Sequence, residues 1–145
     1  PIELAVLSRN KLNPAERKYG APTLVGTVKG RKCILVDDIC NTGNTLISNV
    51  HALEKEGAES IYAWAAHGVF GSTPETPARI QTLDGLEYLL ISNSVRCDTK
   101  LPPKIKSLNV APLLAEAVAR VFHNQSISGL LSLKNLQEQV PRYDG

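Results

Sequence analysis

Residues Cys33 to Thr45 constrain this chain more than any other stretch. An apolar run, Cys33-Ile34-Leu35-Val36, ends in two adjacent carboxylates, Asp37 and Asp38. Ile39-Cys40-Asn41 and then Thr42-Gly43-Asn44-Thr45 form a short loop, after which Leu46, Ile47, Val50 and Leu53 repeat at helical spacing. That order predicts a buried strand that delivers acids, followed by a nest of backbone amides at a helix N-terminus, all at one edge of a sheet. Paired carboxylates suit the hydroxyls of a sugar. A Gly-containing loop at a helix start suits a phosphate. A ribose 5-phosphate unit carries both groups.

The rest of the chain alternates strands with helices. Ile2 to Leu7 reads as a short strand, and Ser8 to Pro22, rich in Asn, Lys, Arg and Pro, as a long mobile loop. Leu24 to Val28 predicts another strand, turning through Lys29-Gly30-Arg31-Lys32 into the strand from Cys33 to Val36. Gly57 supplies a stop for the first helix. Ser60 to His67 is a continuous apolar run, as expected of a strand covered on both faces, with Tyr62 and Trp64 in the core. Phe70 to Pro77 reads as a loop, Pro77 to Leu83 as a short helix, and Leu86 to Ile91 as a strand. A weaker strand spans Ile105 to Val110. Pro112 then suits a first helical turn, and Leu113, Leu114, Ala117, Val118, Val121 and Phe122 mark the inner face of a helix ending near His123-Asn124. The tail after Ser132 is polar and reads as a terminal extension.

This order predicts the α/β class: a parallel sheet flanked by helices on both faces, built with right-handed crossovers. Ligands of such sheets bind beyond the carboxyl ends of the strands. Asp37, Asp38, His67 and Ser92 to Ser94 would gather there. A histidine bonded to a backbone carbonyl is the simpler reading of His67, while His51 and His123 look like surface helix residues.

At 145 residues the chain suits one domain over 1–145 with a real core. A net charge of +2 gives no argument for nucleic acid or an anionic membrane as partner. No apolar stretch approaches the roughly 20 residues that span a bilayer. The three cysteines, Cys33, Cys40 and Cys97, are odd in number and not paired as CxxC. Reduced thiols in a cytoplasmic protein fit them better than zinc or disulfides, and Cys40 reads as filler of a small half-buried position rather than a nucleophile. The opening on Pro1, with no Met anywhere and an immediate strand-like run, predicts a fragment.

Val36-Asp37-Asp38-Ile39-Cys40-Asn41-Thr42-Gly43-Asn44-Thr45 resembles the phosphoribosyl-pyrophosphate (PRPP) binding motif. That motif is shared by type I phosphoribosyltransferases and by their relatives, the ribose-phosphate diphosphokinases (PRPP synthetases). Four further segments favour the synthetases. Leu24-Val25-Gly26-Thr27-Val28-Lys29-Gly30-Arg31 is similar to the segment entering the motif strand. Tyr62 to Phe70, with Ala65-Ala66-His67-Gly68, resembles the strand ending in Thr-His-Gly/Pro. Ile91-Ser92-Asn93-Ser94 resembles Val-Thr-Asn-Ser/Thr, and Pro112 to Val118 followed by Gln125-Ser126-Ile127-Ser128 resembles the last helix and C-terminal segment. The match covers nearly the whole chain in order, and is to the C-terminal domain of that family.

The resemblance implies a phosphoribosyltransferase-like, Rossmann-like three-layer fold, here lacking its first strand. It implies transfer of the β,γ-diphosphoryl group of ATP to the 1-hydroxyl of ribose 5-phosphate, with Mg2+, in a homo-oligomer of two to six subunits. Asn41, Thr42, Gly43, Asn44 and Thr45 would cradle the 5-phosphate, and Asp37 and Asp38 would take the 2- and 3-hydroxyls. The Ser8 to Pro22 segment corresponds to the catalytic loop, whose Lys and Arg stand here as Arg9 and Lys11, the two types exchanged. A planar fork and a point charge are not equivalent, so the exchange bears on rate. Asn41 replaces a usual Asp, and Asn44 a common Gly. Ser126, Ile127 and Ser128 lie in the region of the family's phosphate or ADP regulatory site, where Leu131 replaces an aromatic residue.

The family's N-terminal domain and the segment Ser-Pro-Asp-x-Gly-Gly are not found, nor is any metal ligand set. The chain by itself is therefore expected to form no PRPP, and, with apolar sheet surface and an edge exposed, to persist through self-association or with the remainder of the protein. A monodisperse monomer in sedimentation would contradict the second expectation. Two other readings stay open: a non-catalytic subunit that regulates active synthetases, and a free-standing phosphoribosyltransferase, for which no hood segment over a base is seen.

Overall fold

The structure, a computed structural model, describes residues 2–9, 11–13, 18–70, 73–97 and 100–130. In chain order its elements are β1 (Val6–Ser8), β2 (Lys11–Asn13), β3 (Lys18–Tyr19), β4 (Thr23–Val25), β5 (Lys32–Cys40), α1 (Asn44–Lys55), β6 (Ser60–Gly68), α2 (Thr76–Gln81), β7 (Leu86–Ser92), β8 (Ile105–Leu108) and α3 (Ala111–Phe122). A 3-10 turn, Ser128–Leu130, follows. Two compact units divide the chain, residues 1–108 and 109–145.

In the first unit β5, β6, β7 and β8 form a parallel sheet in that spatial order. Each crossover therefore steps the same way across the sheet. Right-handed connections that step one way place their helices on one face, and α1 and α2 both pack there. Val50 and Leu53 of α1 and Ile80 of α2 meet Ile61, Ala63 and Leu89 in one cluster. Among the described residues of this unit nothing covers the other face. Ile34 and Val36 stand exposed on it, and Trp64, expected in the core, is 42% exposed. Tyr62 is half-buried and meets Tyr88 edge-on at 5.1 Å between ring centroids. The apolar run of β6 predicted two covered faces; only the one beneath the helices is buried, as its alternation shows.

Two local differences from the sequence reading matter. First, β5 does not end at Val36. It stays in register with β6 through Cys40↔Gly68, so Asp37 and Asp38 lie within the strand. Its length is set by its partner, which continues that far. Second, part of the segment read as a long loop is an antiparallel pair, β2 with β3, while β1 pairs with β4. Such two-stranded ribbons are local structures of modest stability.

The ends of α1 follow its sequence. Gly57 takes φ +79°, and the amides of Gly57 and Ala58 return to the carbonyls of Glu54 and Leu53 at 2.9 and 3.0 Å. That is the glycine-terminated stop the sequence predicts.

In the second unit, α3 begins at Ala111 with proline in its first turn. The stripe read as an inner face is exposed instead: Leu113, Leu114, Val118, Val121 and Phe122 range from 49% to 80%. The described part of this unit is one helix and one short turn, which offers no second apolar layer against the stripe. Leu131 and the tail after Ser132 lie outside the described residues. Among those described, no helix is long and apolar enough to cross a membrane.

Candidate functional site

The carboxyl end of β5 and the N-terminus of α1 enclose a cavity of about 130 Å³, lined by Asp37, Asn41, Thr42, Gly43 and Thr45 among others. Gly43 turns the chain here. Its φ of +73° is left-handed, and a Cβ at this position would lie 2.9 Å from Thr76 Cγ2. Glycine is needed for both reasons. The helix that follows starts without a side-chain cap. The Asn44 amide donates to Thr42 Oγ1 at 3.5 Å, and Gly43 and Thr45, at the positive end of the helix dipole, line the cavity.

The two acids part company. Neighbours in a strand point to opposite sides, and Asp37 lines the cavity while Asp38 does not. Asp37 Oδ1 accepts the Asp38 amide at 3.0 Å, and Asp38 Oδ1 accepts the Ile39 amide at 2.7 Å. Partial burial pushes the Asp37 carboxyl above its ordinary range, opposed by the Asp38 amide and by the nearby charge of Arg9. Asn44 also leaves the cavity lining. It faces a second hollow of about 400 Å³ on the other side of the loop.

Arg9 reaches this corner from the end of β1. Its Nη2 donates to the Thr45 carbonyl at 3.0 Å and to Asn49 Oδ1 at 2.8 Å. A cation is thus anchored at the start of α1. Lys11 opens β2 and is placed by its backbone, its side chain lying outside the described part. Asn49, one helical turn after Thr45, also lines the cavity. Its i,i+4 spacing from Thr45 was the signal that could have singled it out. Arg79 of α2 was missed as well, and nothing local in its segment marks it.

His67 and the Ser92 to Ser94 segment form a neighbouring cluster at the strand ends. The His67 Nδ1 lies 2.7 Å from Ser94 Oγ, and Ser92 Oγ donates to the Ala66 carbonyl at 2.5 Å. The ring is held by a hydroxyl rather than by the carbonyl expected. In the second unit the Ser128 amide donates to Ser126 Oγ at 3.2 Å, and Arg120 donates to the Ser126 carbonyl. Ile127 is 43% exposed.

Cys40 fills the floor of the loop. It is buried, and burial together with the Asp37 charge pushes its thiol up to about 11. A thiol this reluctant to ionise is a filler, not a nucleophile. Because the folded value exceeds the ordinary 9.0, the unfolded chain ionises first. Stability is full below pH 9 and falls by about 2–3 kcal/mol as pH rises from 9 to 11. Urea titrations across that range, with Cys40→Ala as the reference that lacks this dependence, are expected to show the difference. Parallel curves for the two proteins would refute it.

Among the described residues no group of three or more His, Cys, Asp or Glu side chains is placed to hold a metal ion. Asp37 and Asp38 each accept one backbone amide through Oδ1, which leaves the second oxygen of each carboxylate as an acceptor.

Comparison with known proteins gives the family. The profile of the phosphoribosyl synthetase-associated domain matches residues 3–132. The ribose-phosphate pyrophosphokinase of Prochlorococcus marinus subsp. pastoris is 38% identical over 131 residues, covering 90% of this chain and 38% of that protein. That of Nitrosomonas europaea is 34% identical over 130 residues, covering 88% and 40%. The chain thus spans about two fifths of the length of these curated relatives. The crystal structure of phosphoribosylpyrophosphate synthetase from Mycobacterium smegmatis superposes with a TM-score of 0.65 at 35% identity, over 71% of this chain and 34% of that one. With that domain's profile matching nearly the whole chain, the chain belongs to the phosphoribosyl synthetase-associated domain family.

Proposed function

We propose that this chain is the ribose 5-phosphate-binding part of a ribose-phosphate diphosphokinase. The observation that carries the reading is the cavity in which Asp37 faces the uncapped start of α1 across the Gly43 turn. The 5-phosphate sits on the amides of the 43–45 turn and the hydroxyls of Thr42 and Thr45. Asp37 accepts hydrogen bonds from the ribose hydroxyls and fixes the ring. Asp38, in the same strand but outside the cavity lining, acts through the strand end rather than as an equal partner. The 1-hydroxyl oxygen then attacks the β-phosphorus of ATP. Its proton passes to solvent, the bond between the α,β-bridging oxygen and the β-phosphorus breaks, and AMP leaves with the formation of PRPP. Arg9, and Lys11 with it, supplies positive charge where negative charge grows between the oxygens.

In the whole protein ATP is accompanied by Mg2+, which neutralises phosphate charge. Among the described residues no group of three or more His, Cys, Asp or Glu side chains gathers to hold it; one or two carboxylates together with the substrate phosphates would suffice. Assembly into a homo-oligomer, a cytoplasmic setting and an effector site for phosphate or ADP around Ser126, Ile127 and Ser128 belong to the same proposal. Support for it comes from relatives that carry the name ribose-phosphate pyrophosphokinase.

Calorimetric titration of this chain with ribose 5-phosphate tests the reading. Saturable binding is expected, weakened about tenfold, or about 1.4 kcal/mol, by Thr45→Val. A folded sample that binds no sugar phosphate would instead favour a regulatory subunit without sugar chemistry.

A further inference from the structure

The 41–45 turn is not held by its own sequence alone. Arg79, from the separate helix α2, reaches it with both ends of its guanidinium. Nη1 donates to the Thr42 carbonyl at 3.1 Å and Nη2 to Asn44 Oδ1 at 2.9 Å. These acceptors lie on either side of Gly43. Directly beneath, Thr76 of the same helix is fully buried and would meet any side chain added at Gly43. Ile80, also fully buried, approaches the same point, 3.8 Å from a Cβ there. One face of α2 thus forms a floor under the turn, and Arg79 is the clamp at its rim.

Arg79 does not face the ligand cavity. It lines the larger hollow on the opposite side of the turn, together with Asn44, and is absent from the lining of the smaller one. A guanidinium placed there acts on a phosphate only through the backbone it holds.

We propose that Arg79 is a positioning residue, which locks the turn between β5 and α1 into its anion-binding shape by bridging the Thr42 carbonyl and the Asn44 side chain. The consequence for ribose 5-phosphate rests on the function proposed above; the locking itself does not. A fork with two donors spans both acceptors at once, and a lysine ammonium does not reproduce that geometry. Positioning and simple positive charge are therefore separable.

Two measurements on the same chain decide. In the first, amide hydrogen exchange is followed without ligand at Ile47, whose N–H donates to the Gly43 carbonyl at 2.9 Å. Arg79→Lys and Arg79→Ala are both expected to speed that exchange about tenfold, with Ile61 and Leu89 in the sheet unchanged. Unchanged exchange at Ile47 would overturn the proposal. In the second, ribose 5-phosphate is titrated into each variant. Arg79→Lys is expected to bind about tenfold more weakly than wild type, close to Arg79→Ala. Lysine binding as tightly as arginine would show that charge alone matters, and would also overturn it. If the exchange result is as expected while wild type itself binds no ribose 5-phosphate, the clamp stands and the proposed substrate falls.

Discussion

Replacing Gly43 with valine is expected to cost about 3 kcal/mol of stability and to remove measurable ribose 5-phosphate binding. Two causes add. The residue sits at φ +73°, where a β-branched side chain is strained by roughly 1–3 kcal/mol. Its Cβ would also lie 2.9 Å from Thr76 Cγ2, and Thr76 is fully buried. Overpacking of this kind costs roughly 1–3 kcal/mol. The turn relieves both by changing conformation, and the amides of residues 43–45 turn with it. Urea unfolding and calorimetric titration on the same sample give the two effects separately. A Gly43→Val protein as stable as wild type would show that the left-handed turn is not required. One that is destabilised but binds normally would show that the phosphate is held elsewhere.

What could be read in the chain, and what could not, follows the range of the forces. The strand, turn and helix from Cys33 to Leu53 were legible because each signal is local: an apolar run, a glycine where φ turns positive, and Leu46, Val50 and Leu53 at helical spacing. The division of labour between Asp37 and Asp38 was not. It depends on β5 continuing to Cys40, in register with a β6 that lies 28 residues further along the chain (Cys33↔Ile61 to Cys40↔Gly68). Arg79 was invisible for a related reason, since its acceptors are 37 and 35 residues distant in sequence. Trp64 was misjudged because hydrophobicity shows that a face is apolar, not what lies against it. The exposed stripe of α3 repeats that lesson. The antiparallel pairing of Lys11 to Asn13 with Lys18 to Tyr19 was hidden by a polar composition that suits a loop equally well.

Truncating Ile80 to alanine is expected to destabilise the chain by about 3 kcal/mol, while Ile34→Ala changes stability by less than about 1 kcal/mol. The substitutions remove the same atoms, so the contrast isolates burial. Ile80 is 0% exposed and lies in the core cluster beneath the Gly43 turn. Its loss leaves a cavity in that cluster, for which isoleucine-to-alanine changes cost roughly 2–5 kcal/mol. Ile34 is 72% exposed on the uncovered face of β5, where what is lost is mainly strand preference, a scale that spans about 1 kcal/mol. Urea midpoints at neutral pH measure both, provided the slope of each transition matches wild type. Equal losses would mean that the face carrying Ile34, Val36 and Trp64 is covered in solution, and the contacts that cover it would then be part of the folded unit. Unequal losses would confine the core to the helix side. The packing of α2 against the 41–45 turn would then couple the core to the site, and Ile80→Ala should weaken sugar-phosphate binding as well, in a way that Ile34→Ala does not.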